Sequence, residues 1–356
     1  MAARRGRTNL QSMNSNGQDV RKGRVARFPG AIGTFMARDA LSLAASFLEL
    51  SSQDAVLLPV YNCQDVLKAF QRTNRVVFYD INQDLSIDPN HIAEKLRDRS
   101  IRMMMITNYF GFLQPCRMRI QELCRANGVS IIEDCAHSLL TEGSGETGDL
   151  SIYSYRKILP IPDGGGLQIR DQTKSPAIQF YPRLYSDALS ALISVKALLN
   201  VHSDKFSRTR LTSHVQRVAP ELVSRPMDAK TLPLSRFAER GMADLSFPEM
   251  IERRRNDFAY WQDLCRRLQK VQPIFQELPA EVCPLGFPVM IDNRASVESR
   301  AREHGINLRV HWRLDTELGS DCLVSHELTK KMLTLPLYPE LSGREREALT
   351  TILLTC

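Results

Sequence analysis

Residues 101–134 read IRMMMITNYFGFLQPCRMRIQELCRANGVSIIED, and the order of apolar and polar residues in this stretch spells one structural unit. IRMMMIT is an apolar run of strand length without polar alternation, which suits a strand covered on both faces. MRIQELCRANG reads as a helix that stops at Gly128, a residue free to take the left-handed conformation that closes helices. VSIIEDCAH is then a second buried strand. Strand, helix, strand at this length is the pattern of neighbouring parallel strands joined by a crossover helix.

The same rhythm runs outward in both directions. Upstream, ARDALSLAASFLEL (37–50), VLKAFQRTN (66–74) and SIDPNHIAEKLR (86–97) have helical spacing, with Asp88 and Pro89 as cap and first-turn pair. AVLLPV (55–60) and RVVFYDI (75–81) are strands between them. Downstream, LSIYSY (150–155) and GGLQI (165–169) predict two more strands, and residues 175 to about 260 are helix-rich. A further unit follows: LGFPVMI (285–291) as strand, RASVESRAREHG (294–305) as helix, INLRVHW (306–312) as strand and GREREALTTILL (343–354) as final helix. The expectation is an α/β fold, a mostly parallel central sheet with helices on both faces, plus a smaller C-terminal α/β domain. The predicted division is a basic extension over 1–28, a large domain with a helical insertion over 29–245, and a small domain over 246–356.

Composition sets bounds on function. With 356 residues and 43% hydrophobic content the chain can bury a large core. Apolar runs such as RMMMITNYFGF stop short of the roughly 20 residues that span a bilayer, and the basic N-terminus runs into NLQSMNSNGQDV instead of a secretory apolar stretch. The eight cysteines form no CxxC pair or regular framework, so reduced thiols in a cytoplasm are expected, with no metal site. The net charge of +7 is concentrated at one end. Arg4, Arg5, Arg7, Arg21, Lys22, Arg24 and Arg27 face the single Asp19, and the body is nearly neutral. A basic tail can dock on nucleic acid or an anionic membrane, but a solvated, mobile terminus is the favoured reading. No nucleic-acid partner and no membrane insertion are expected.

In an open parallel sheet the ligand crevice lies beyond the carboxyl ends of the strands. That places PVYNCQD, TNYFGF and EDCAH at the candidate site. Asp134 ends a buried strand, where a carboxylate is either a cap, an ion-pair partner or a functional group. Lys157, in YSYRKILPIPDGGG (153–166), stands at the edge of the same sheet. Desolvation and a neighbouring cation such as Arg156 lower an ammonium pKa, and a neutral amine condenses with aldehydes. A solvated lysine at a strand end is the competing reading.

Pyridoxal phosphate gives a reason for the pair. Its aldehyde needs an amine, its pyridine nitrogen a carboxylate, and its phosphate backbone donors at a helix start. Lys157, Asp134 and the loop before the helix at residue 38 meet those needs, and Gly164, Gly165 and Gly166 let the chain turn back into the sheet. DGGG lacks the spacing of GxGxxG or Walker loops and precedes a strand, so it is not itself read as a phosphate loop.

From about residue 28 to its end the chain resembles the DegT/StrS-type sugar aminotransferases, a family of fold type I pyridoxal phosphate enzymes. The resemblance is carried by LLPVYNCQDVLKAF, VFYDINQDLSID, TNYFGFLQP, IIEDCAHSL followed by GDLSIYSYRK, GINLRVHW and LTLPLYPEL. It implies that Lys157 is the lysine that holds the cofactor and carries the proton of transamination, and that Asp134 partners the pyridinium nitrogen. His137 stands where members have glutamine near the phenolic oxygen, and Ser154 where a serine meets the phosphate. Ala37 and Arg38 open the first long helix with phosphate-binding amides. Tyr61 and Cys63 lie in the loop that covers the cofactor ring, and His311, Trp312 and Tyr338 in segments that approach substrate, with packing the competing role for Trp312. Asn108 replaces a frequent histidine.

Two departures accompany this resemblance. Members commonly have four residues between the serine and the lysine, where Ser154 and Lys157 have two, and ILPIPDGGG replaces NLxxGxGG. The implied activity is transfer of an amino group from an amino acid to a nucleotide-linked keto sugar in polysaccharide or specialised-metabolite synthesis by a cytoplasmic homodimer. Relatives also use the fold for sugar deoxygenation or dehydration, some with histidine for the lysine, so retention of Lys157 argues for amine transfer. The alternative is a non-catalytic or dehydratase-like member acting as a binding or regulatory subunit.

Overall fold

The computed structural model describes residues 30–171, 173, 178–201, 230–315, 317–339 and 342–356. The basic extension and residues 202–229 of the helix-rich insertion lie outside the described residues. In chain order the elements that build the large sheet and its cover are β1 (Ala31–Thr34), α1 (Ala37–Phe47), β2 (Ala55–Pro59), α2 (Gln64–Phe70), β3 (Arg75–Tyr79), α3 (Pro89–Lys95), β4 (Ile101–Thr107), α4 (Arg117–Asn127), β5 (Ser130–Asp134), β6 (Leu150–Ser154) and β7 (Gly165–Ile169).

The sheet has seven strands in the order β1-β7-β6-β5-β4-β2-β3. The pairs β2–β3, β2–β4, β4–β5 and β5–β6 are parallel, and β7 is antiparallel to both β6 and β1. The stretch 101–134 folds as its pattern requires. Met103 and Met105 of β4 pack with Leu41 of α1 and Phe70 of α2 on one face, while Met104 and Ile106 pack with Ile92 of α3 and Ile120 of α4 on the other. Both faces are apolar because both are covered by helices. Gly128 closes α4 at φ 67°, and Asp88 caps α3 by accepting from the Asn90 amide at 2.9 Å.

Strand β1 carries no usable pattern. AIGT is four residues long and holds a glycine, and it becomes a strand because β7 offers it an open edge. The insertion contributes β8 (Gln179–Phe180), α5 (Arg183–Val201), β9 (Lys230–Thr231) and α6 (Arg236–Ala243). A second sheet follows, preceded by α7 (Phe247–Cys265) and formed by β10 (Val271–Pro273), β11 (Phe287–Ile291) and β12 (Met332–Leu335), all antiparallel. With it come α8 (Arg294–Glu303), α9 (Leu323–Lys331) and α10 (Gly343–Leu354). Phe258 and Trp261 of α7, Val297 of α8 and Leu349 of α10 form a core with this sheet.

One sequence expectation is corrected here. INLRVHW is not a strand: its backbone meets the sheet through a single bridge at Arg309, whose carbonyl accepts from the Thr334 amide at 3.0 Å. The third strand is Met332–Leu335. Residues 310–312 leave the sheet edge, and the rings of His311 and Trp312 pack instead against His137 beyond β5.

Candidate active site

The carboxyl ends of the parallel strands bring the predicted loops together. Beyond β4, the Asn108 amide donates to the Asp134 carbonyl at 3.1 Å and the Phe110 amide to His137 Nδ1 at 3.4 Å. Phe110 takes a left-handed φ of 54° in this turn, an unusual conformation for a bulky residue, and it is fully buried. Its ring packs edge-on to His311, with centroids 5.3 Å apart. Trp312 stacks on His137 at 5.4 Å and 21°. Together these rings form one aromatic cluster beyond the ends of β4 and β5.

Lys157 ends a short 3-10 turn, Tyr155–Lys157, that starts as soon as β6 stops at Ser154. It is half-buried. Desolvation lowers its ammonium pKa, and the fields of Asp134 and Cys63 oppose that against the further push of Arg156 and Arg309. Asp134 shows the mirror effect: burial raises its carboxyl pKa and the Lys157 charge pulls it back. The two groups feel each other across the crevice without an ion pair, since among the described residues Lys157 makes none within 4.0 Å.

His137 is 2% exposed and kept neutral by burial and then by the Lys157, His311 and Arg309 charges. His311 follows the same logic, pushed down to about 3 by desolvation, Lys157 and Arg309, with Nδ1 at 2.8 Å from Thr334 Oγ1. Cys63, the residue before α2, lies near Lys157.

The lysine turn is tied to the start of α1 by a chain of backbone bonds. Tyr155 N donates to Gly164 O at 3.0 Å, and Gly164 N to Phe35 O at 2.6 Å. Gly165, opposite Ser154 in the β6–β7 ladder, sits against the Met36–Ala37 peptide, where a Cβ would lie 2.4 Å from Met36 C. Ser154 is buried at this junction. Within α1 the first backbone donors to an intrahelical acceptor are Asp39 and Ala40, both to Met36 O, so the Ala37 and Arg38 amides have none. Arg38 pairs with Asp65 at 3.3 Å.

Not every predicted residue falls on the crevice. Tyr61 is fully buried, its hydroxyl 3.8 Å from Met332 Sδ and its ring between Tyr109 and Trp312, so it sits in the core instead of on an open face. Tyr338 lies with its ring under Arg253 at 4.8 Å and its amide on Asp257 at 2.7 Å. Asn108 is used internally, donating to Glu133 Oε1 at 2.8 Å. Glu133 also accepts from the Gly145, Thr147 and Gly148 amides at 3.0, 2.7 and 2.9 Å and pins that loop. Two participants were not singled out from sequence. Phe110 looked like one apolar residue among several, and Arg309 sat in a segment read as an ordinary strand.

The open polar groups fit pyridoxal phosphate. Asp134 Oδ1 accepts from Ala136 N at 3.0 Å, and Oδ2 accepts no hydrogen bond among the described residues. That leaves an acceptor on a buried residue for a pyridinium N–H. His137 Nε2 is buried without a partner, a donor for a phenolic oxygen. The Ala37 and Arg38 amides are donors for a phosphate.

Comparison with known proteins agrees with this geometry. Residues 25–183 match the DegT/DnrJ/EryC1/StrS aminotransferase family. A putative L-glutamine:3-amino-2,3-dideoxy-scyllo-inosose aminotransferase of Micromonospora echinospora is 29% identical over 135 residues, 36% of this chain and 32% of that protein. The chain spans about a third of the length of the curated relatives it matches. Among solved structures, the aminotransferase TlmJ from Streptoalloteichus hindustanus superposes with a TM-score of 0.67 at 19% identity, over 91% of this chain and 84% of that one. The PLP form of the putative sugar aminotransferase Spr1654 from Streptococcus pneumoniae gives 0.66 at 16% identity, over 93% and 88%. The fold is that of these aminotransferases, and the resemblance of residues 25–183 to the family is shown by sequence.

Proposed function

We propose that the chain is a pyridoxal phosphate-dependent aminotransferase that moves an amino group from an amino acid to a nucleotide-linked keto sugar in polysaccharide or specialised-metabolite synthesis. The observation that carries this reading is the convergence of Lys157, Asp134 and His137 at one sheet edge, with open acceptor and donor atoms on the last two. When bound, the cofactor supplies an electron sink for a carbon next to the transferred nitrogen. Lys157 Nζ would hold it by its aldehyde and carry the proton, helped by an environment that favours the neutral amine. Asp134 would keep a ring N–H charged, and His137 would donate from Nε2. The aromatic cluster of Phe110, His311 and Trp312 would limit water at the reacting atoms.

The reading extends to a large cofactor-binding unit over 29–245, a small one over 246–356, and a cytoplasmic homodimer, for which light scattering on the active protein should give twice the chain mass. Purified protein supplied with pyridoxal phosphate should turn yellow, lose the colour with borohydride, and fail to colour after Lys157→Ala. It should then pass nitrogen from glutamate or glutamine to a nucleotide-linked keto sugar. A colourless protein that takes up no cofactor overturns the proposal and favours a non-catalytic binding subunit.

A further inference from the structure

Arg156 stands between two residues of the proposed site, and neither its charge nor its position is accounted for above. Arg156 is exposed and, among the described residues, makes no hydrogen bond or ion pair. Yet it lies in a crowd of cations. Desolvation lowers its pKa, the Arg38 and Arg309 charges add to that, and Asp65 and Cys63 oppose it. Arg38 already spends its contact on Asp65. Three guanidiniums and the Lys157 ammonium thus share this corner with two carboxylates, Asp65 and Asp134. Such an excess of like charge is unfavourable in a protein-walled cleft unless an anion occupies it.

The backbone shows where that anion would sit. Tyr155, the residue before Arg156, bonds through Gly164 to Phe35, one residue short of the peptide that opens α1. Gly165 removes any side chain between β7 and that peptide. Arg156 and Arg38 are therefore carried to the same helix end by two separate pieces of chain, one from the lysine turn and one from α1 itself.

We propose that Arg156 and Arg38 form a two-guanidinium clamp for the phosphate of pyridoxal phosphate, and that this clamp replaces contacts a longer segment between Ser154 and Lys157 would supply. The inference rests on the cofactor reading above. Guanidinium forks match phosphate oxygens bidentately and stay charged at any working pH, which suits a dianion that must remain seated while the ring reacts.

The test is binding, not turnover. Cofactor-free protein is titrated with pyridoxal phosphate and with pyridoxal, which lacks the phosphate, following the visible band that depends on Lys157. Inorganic phosphate is titrated separately by calorimetry. In Arg156→Gln the affinity for pyridoxal phosphate should fall by on the order of tenfold to a hundredfold, while that for pyridoxal stays the same. Inorganic phosphate binding should weaken in parallel, and Arg156→Lys should recover part of both. An unchanged ratio of the two aldehyde affinities in folded Arg156→Gln overturns the clamp and leaves the enzyme reading standing. Inorganic phosphate binding that depends on Arg156, in a protein that binds neither aldehyde, overturns both the clamp as a cofactor contact and the cofactor reading, and leaves only an anion site.

Discussion

At the scale of the residue, the site works by making charge expensive. Lys157, His137 and His311 all have their protonated forms disfavoured, first by desolvation and then by neighbouring cations. For His311 the sign of the pH effect follows directly. Its pKa falls from 6.5 to about 3 on folding, so between those values the unfolded chain binds the extra proton. The stability tied to neutral His311 is complete above pH 6.5 and is lost as pH falls toward 3, by up to about 1.4 kcal/mol per pH unit. His137 acts in the same direction and Asp134, with a raised pKa, in the opposite one, so the contribution must be isolated by comparison. Urea midpoints at pH 7 and pH 4.5 should differ less in His311→Asn than in the unaltered protein. An equal difference would show that His311 protonates freely.

At the scale of the element, the decisive contact is β7 against α1. Gly165 lets a strand and a helix start approach to a distance that excludes even a methyl group, with a Cβ placed 2.4 Å from Met36 C and 2.5 Å from Ala37 N. Gly165→Ala should therefore push the two apart and cost about 1–3 kcal/mol in urea unfolding. The same change should weaken pyridoxal phosphate binding, because the Ala37 and Arg38 amides move with the helix. Stability and cofactor affinity both unchanged would mean that the junction yields without cost. Strong patterns such as α4, with its closing Gly128, were legible in the sequence; β1 was not, because a four-residue strand is defined by the edge it fills. INLRVHW misled for the related reason that an apolar, β-branched run can serve a sheet or a crevice wall, and only its partners decide.

At the scale of the whole molecule, the two sheets are joined where the crevice lies. The Leu285 amide donates to the Phe110 carbonyl at 2.9 Å, and the Cys283 amide to Thr141 Oγ1 at 3.1 Å. On the far side Asp80, just after β3, accepts from the Val324 and Ser325 amides at 3.0 Å each and from the Ser325 hydroxyl at 2.5 Å, capping α9 from a distant part of the chain. Asp80→Ala should cost about 1–2 kcal/mol, measured by urea unfolding, since it strips a helix start of its acceptor. A loss near zero would indicate that water replaces the carboxylate fully.

The sequence by itself determined the α/β class, the parallel sheet and which loops follow the carboxyl ends of its strands, because these follow from local periodicity and from the burial of both sheet faces. Lys157 and Asp134 were legible for the same reason: each closes a buried apolar run, where a charged group is conspicuous. Tertiary structure alone decided what Tyr61 does, since a tyrosine reads the same in a core as on a ring-stacking face. It also decided that Phe110 packs against His137 and His311, and that the charges of Arg156 and Arg309 reach Lys157. Phe110, Arg156 and Arg309 come from different loops, and no local pattern records which distant loops meet; that is set by strand order and by the close approach that one glycine permits.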